Sequence, residues 1–155
     1  MKVLFLDFDG VLNSEGSFRM ELRRKNRNVS DSLSTVACSN LQYILEQDRD
    51  VKIVISSSWR TMHTMVELQN ILNSYGVEAA RIIGKTPKKL SSSRASEINM
   101  WLNDNPNVTK FVVLDDDEDV LGVKDPRGHI FITTPEDGLL FKQAKQIAKL
   151  FRGEK

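Results

Sequence analysis

The chain has 155 residues, 40% of them hydrophobic and 28% charged, with a formal net charge of +1. That length and balance suit one globular domain with a substantial core, and the near-neutral total means that any case for nucleic acid must rest on local patches. A lone cysteine, Cys38, excludes an internal disulfide and fits a reducing compartment, and no apolar run approaches the ~20 residues of a membrane span.

The first dozen residues set the theme. An apolar run reaches Leu6, and Asp7, Asp9 and Gly10 follow. A run with no polar face reads as a strand buried on both sides, as in a parallel sheet. It starts at the N-terminus, which leaves no room for a signal peptide, so a cytoplasmic protein is expected. Asp-x-Asp-Gly is also common in plain turns, so its meaning depends on what else arrives beside it.

Segment 14–34 is polar and carries Arg19, Arg23, Arg24, Lys25 and Arg27. A charge run is usually a solvated face. This one follows the acidic strand end directly, where its cations could also meet nucleic-acid phosphates. Val36, Ala37, Leu41, Ile44 and Leu45 predict a helix over 34–47, in which Cys38 packs as a small apolar group. A second strand, 51–55, ends in Ser56, Ser57, Ser58, Trp59 and Arg60. Met62, Met65, Val66, Leu68 and Leu72 then predict one helix ending before Tyr75. A third strand is read at 80–83, a helix at 94–103 with Ser91 to Ser93 supplying its cap, and a fourth strand at 110–114 running into Asp115 to Asp119. A fifth strand, 129–133, precedes a closing amphipathic helix over 139–151.

Strands alternating with helices predict an α/β fold, a Rossmann-like three-layer αβα sandwich around a mostly parallel five-stranded sheet. The whole of 1–155 reads as a single domain, with 14–34 as a basic insertion loop. In such a sheet the ends of strands one, two and four lie on one edge, where ligands bind. Carboxylates from two strands repel one another unless a cation sits between them, and a hard divalent ion such as Mg²⁺ suits oxygen ligands. Serines at a strand-to-helix turn suit phosphoryl oxygens. A further cation, Arg94 or else Lys88 or Lys89, would balance the charge of phosphoryl transfer.

Asp7-Phe-Asp-Gly-Val-Leu resembles motif I of the haloacid dehalogenase (HAD) superfamily of Asp-x-Asp phosphotransferases. Ile55-Ser-Ser resembles motif II, Arg94 motif III and Leu114-Asp-Asp motif IV, in the family's order and across nearly the whole chain. Ser57-Ser-Trp-Arg60 with Arg94-Ala-Ser-Glu-Ile-x-x-Trp-Leu is similar to a branch associated with RNA repair, and through it to the phosphatase domain of polynucleotide kinase–phosphatases. The resemblance implies a Mg²⁺-dependent phosphatase working through an aspartyl-phosphate. Asp7 would be the nucleophile and Asp9 the general acid and base. Ser57, or Ser56 by a one-residue shift, would hold the phosphoryl group, and Arg94 would balance its charge. Asp7, the Asp9 carbonyl, Asp116 and Asp115 would hold the metal.

Many members of the superfamily carry a cap domain, and neither gap between motifs here has room for a full one. A wide mouth suits a phosphate at an RNA or DNA end, with Ser56, Ser58, Arg60, Arg23 and Arg24 as candidate substrate contacts. Trp59 reads equally as a core residue and as a base-stacking platform. A small phosphomonoester is the alternative substrate. Outside enzymes, a non-catalytic phosphate-binding module keeps the same fold. A receiver-type signalling module would need an acid at the third strand's end, where Ile82-Ile-Gly84 offers none.

Overall fold

Five short runs become the strands of one sheet: β1 (Lys2–Leu6), β2 (Val51–Ile55), β3 (Ile82–Lys85), β4 (Lys110–Asp115) and β5 (Gly128–Ile132). They lie in the order β3-β2-β1-β4-β5, and every pairing is parallel. This is a computed structural model, and it describes residues 1–15 and 33–154. The basic residues Arg19, Arg23, Arg24, Lys25 and Arg27 fall outside the described residues.

Side-chain alternation along the strands divides the core into two layers. Leu4, Leu6, Ile53, Ile55, Val112 and Leu114 pack on one face, against α1 (Thr35–Gln47), α3 (Met65–Ser74) and α5 (Phe141–Arg152). Val3, Phe5, Val54, Phe111 and Val113 pack on the other, against α4 (Arg94–Asp104) and the 3₁₀ turn Glu118–Gly122. Cys38 is fully buried in the first layer. No helix among the described residues is long and apolar enough to cross a membrane.

Two expected elements differ. The helix read through Met62 and Leu72 is two: α2 (Trp59–Met62) and α3, separated at His63 and Thr64. Thr64 accepts a hydrogen bond from the Glu67 N–H while the Glu67 side chain accepts from the Thr64 N–H, and this capping box starts a new helix. Met62 and Val66 are consequently exposed, at 65% and 63%. The third strand starts two residues late because Ala79–Arg81 is a 3₁₀ turn. Buried Arg81 holds it there by donating to the carbonyls of Leu45, Asp48 and Val51.

The strand order reverses between β1 and β4, because β1 leads on to β2 on one side while β4 returns on the other. The carboxyl ends flanking such a reversal form the crevice of an open α/β sheet. Asp7 and Asp115 stand on either side of it. Between β2 and α4 the chain forms only α2, α3, the 3₁₀ turn and β3, so this part of the molecule holds no separate cap.

Candidate active site

Strand register brings the site together. Leu6 pairs with Ile55 on one side and Leu114 on the other. The next residues, Ser56, Asp7 and Asp115, therefore form one row across three strands. By alternation their side chains fall on the face that carries α4, where Arg94 begins the helix. Arg94 Nη1 lies 3.0 Å from Asp115 Oδ2 and 3.5 Å from Asp7 Oδ1, and it donates to the Ser56 carbonyl. No hydrogen bond among the described residues uses its Nη2 or Nε. Lys88 and Lys89 are exposed and make no ion pair among the described residues.

Asp7 is 4% exposed and Asp115 is 1% exposed. Burial, then the neighbouring Asp115 charge, pushes the Asp7 carboxyl up to about 9 despite the opposing pull of Arg94. Asp115 is raised too, again by burial, with Arg94 acting against it. Arg94 itself is raised, the Asp115 and Asp7 carboxylates together outweighing the opposite effect of burial. One guanidinium thus does not neutralise the pair, and burial with mutual repulsion resists the double charge unless a second cation arrives.

Three carboxylates could hold that cation. Ligand oxygens of Asp7, Asp115 and Asp116 all lie within 4.8 Å of one another. An all-oxygen donor set with carboxylates that resist ionising fits a hard divalent ion such as Mg²⁺. Gly10 makes the approach of Asp116 possible. A Cβ at Gly10 would stand 2.2 Å from Asp116 Oδ2, and its φ of +76° is itself one that glycine favours. The rest of the acidic run has other work. Asp117 Oδ1 accepts from the Asp119 N–H at 2.9 Å, and Asp119 Oδ2 accepts from the Arg94 N–H at 2.7 Å.

Asp9 is exposed, and its Oδ1 accepts two hydrogen bonds, from Asn13 Nδ2 at 2.8 Å and Trp59 Nε1 at 3.0 Å. Its Oδ2 has no partner among the described residues. Trp59 is 2% exposed and packs on Phe8 with centroids 4.9 Å apart, so it is a core residue with a polar task and not a platform for bases. Asn13 also accepts the Gly10 N–H at 2.9 Å, which fixes the turn after β1.

The three serines separate. Ser56 Oγ is buried with no hydrogen-bond partner, an orphan in the row beside Asp7. Ser57 is wholly buried, and its Oγ accepts from the Trp59 N–H at 3.2 Å. Ser58 is exposed. Arg60, expected as a substrate contact, is only 5% exposed and donates from Nη2 to Glu97 Oε1 at 2.8 Å and from Nη1 to the Ser57 carbonyl at 2.5 Å. A buried guanidinium needs such partners, and they hold Arg60 beneath the serine turn instead of on an open surface.

Fold and site together give an α/β protein with an Asp-x-Asp strand, a second acidic strand end and a cation between them. The family model for the HAD domain in Swiss Army Knife RNA repair proteins matches residues 3–144. The chain belongs to that family. Two solved structures of the HAD domain of effector protein Lem4 from Legionella pneumophila are similar in fold, each at 16% identity. One, an inactive mutant, has a TM-score of 0.63 and covers 94% of this chain and 92% of that one. The other has a TM-score of 0.60 and covers 94% and 93%. No curated protein matches the chain.

Proposed function

We propose that this protein is a Mg²⁺-dependent phosphomonoester hydrolase that removes a terminal phosphate from a nucleic acid through an aspartyl-phosphate on Asp7. The observation that carries the reading is the row Ser56, Asp7 and Asp115 with Arg94 reaching across it. The nucleic-acid substrate is supported by the family's association with RNA repair proteins and by the exposure of Asp9. Asp7, Asp115, Asp116 and the Asp9 carbonyl would hold Mg²⁺, which supplies charge neutralisation to the phosphoryl oxygens.

Asp7 Oδ attacks phosphorus as the bond to the leaving oxygen breaks, and Asp9 gives that oxygen its proton. Asp9 then takes a proton from the water that attacks the aspartyl-phosphate, releasing phosphate and restoring Asp7. With Oδ1 held by Asn13 and Trp59, Oδ2 is the atom that carries the proton. The orphaned Ser56 hydroxyl, more than the enclosed Ser57, donates to a phosphoryl oxygen beside Asp7. Arg94 adds its free N–H groups to the same oxygens.

Phosphate release in Mg²⁺ from nitrophenyl phosphate, nucleotides and 3′- or 5′-phosphorylated oligonucleotides tests the reading. Turnover is expected on oligonucleotide ends above mononucleotides, falling about 10²–10⁴-fold in Asp9→Asn. Equal or better turnover of mononucleotides would make this a small-molecule phosphatase. No turnover of any ester would leave a phosphate-binding module.

Trp59→Phe isolates the positioning of Asp9. It keeps the aromatic packing and removes one N–H from a charged acceptor, a loss of about 1.5–3 kcal/mol in alignment. A fall in kcat of about tenfold or more, with KM within about twofold, is expected. A KM effect at constant kcat would assign Trp59 to substrate binding.

A further inference from the structure

We infer that the cleft beside α4 receives a single-stranded stretch of polynucleotide leading away from the phosphate at Asp7. The inference rests on the phosphatase reading for its direction, but not for its evidence. The cleft has a volume of about 580 Å³, and Arg60, Lys85, Thr86, Lys88, Trp101 and Asn105 contribute to its lining. Lys85 pairs with Ile55, which pairs with Leu6, so the Lys85 end of the cleft lies on the carboxyl edge of the sheet with Asp7, and Trp101 and Asn105 carry it away from that edge along α4. Two strand spacings put the Lys85 end about 10 Å away, within reach of the next few nucleotides.

Its chemistry is lopsided toward donors. Lys85 and Lys88 are exposed and have no ion-pair partner among the described residues. The Trp101 indole N–H lies beside Gly84, where a Cβ would stand 3.7 Å away, and finds no acceptor among the described residues. Asp104 is the one acid in the lining. A lining that offers cations and N–H groups to few acceptors matches a ligand of phosphates and base oxygens.

Trp101 selects the kind of nucleic acid. It is half-buried, and Phe5 holds it edge-on at 5.5 Å between centroids with the planes 85° apart. A fixed aromatic ring beside a basic groove is how single strands are held, bases on the ring and backbone along the cations. A duplex keeps its bases stacked on each other and has none to place there.

Binding can be measured without turnover, in Asp7→Asn protein with Mg²⁺. The probes are a fluorescent ten-nucleotide RNA bearing a 3′- or 5′-phosphate, and a mononucleotide as competitor. The RNA is expected to bind at least about tenfold more tightly than the mononucleotide. Adding Lys85→Ala and Lys88→Ala should weaken RNA binding about tenfold and reduce the slope of log affinity against log salt by about 1.4, for two lost single-strand contacts. Trp101→Leu should weaken it about tenfold with the slope unchanged. Equal affinity for RNA and mononucleotide overturns the inference. So does an unchanged slope in the lysine variant, or a loss that appears only when Arg23 and Arg24 are replaced. Because hydrolysis is not the readout, an inactive wild type would refute the phosphatase reading while leaving this result interpretable.

Discussion

Asp7→Asn is expected to abolish phosphate release, by at least about 10⁴-fold, and at the same time to make the metal-free protein more stable. The first effect follows because an amide cannot form the acyl-phosphate. The second follows from burial. The Asp7 carboxyl rises from its usual 3.8 to about 9 in the fold. Between those values the unfolded chain holds fewer protons at this position than the native one, so stability falls as pH rises through that window. Asparagine removes the penalty, and Tm in EDTA near neutral pH should rise by about 2–6 °C. The difference between wild type and variant should shrink toward pH 4 and grow toward pH 9. Mg²⁺ should then raise the wild-type Tm by relieving the carboxylates, and raise that of the variant much less. Turnover that persists in Asp7→Asn would end the proposed mechanism, and an equal Mg²⁺ response would remove Asp7 from the metal site.

The second large effect belongs to Glu97. It is 1% exposed, pairs with Arg60 Nη2 at 2.8 Å and accepts from Ser92 Oγ at 2.9 Å. Glu97→Ala leaves a buried guanidinium uncompensated, in a place where burial already disfavours its charge. Such a loss costs about 3–5 kcal/mol, or a fall in Tm of about 6–20 °C. Arg60→Leu combined with Glu97→Leu should recover much of this, since an apolar pair has no charge to leave stranded. Calorimetry on the single and double variants measures it. A Glu97→Ala protein as stable as wild type would mean that the ion pair is solvated in solution. Activity should fall with stability, because the pair ties the serine turn after β2 to the first turn of α4, which carries Arg94.

Much of the architecture can be read from local pattern, and much of the site cannot. Apolar runs at Lys2–Leu6, Val51–Ile55 and Lys110–Asp115, each ending in polar chemistry, point to a parallel sheet and to its active edge. Their burial on both faces removes the polar alternation that would have told Ser56 from Ser57. Only the pairing of Leu6 with Ile55 distinguishes them. Arg94 could not be separated from Lys88 and Lys89 because the loop before α4 gives no register. Trp59 stayed ambiguous because its partner Asp9 is fifty positions away in sequence. Arg60 reads as a substrate contact from the sequence because its buried partner, Glu97, is 37 positions away. Thr64 and Glu67 spell a helix start, but Met62 and Val66 kept the apolar spacing running across it.

The hydrogen bond from the Arg94 N–H to Asp119 has an evolutionary corollary. The turn that presents Asp116 also caps the helix that presents Arg94, so acid and base sit on two arms of one yoke. A change in the length of either arm is expected to pull the other out of alignment. Drift in 115–119 and in the first turn of α4 should therefore be inherited as a unit, and a graft of either alone should fail where a graft of both succeeds.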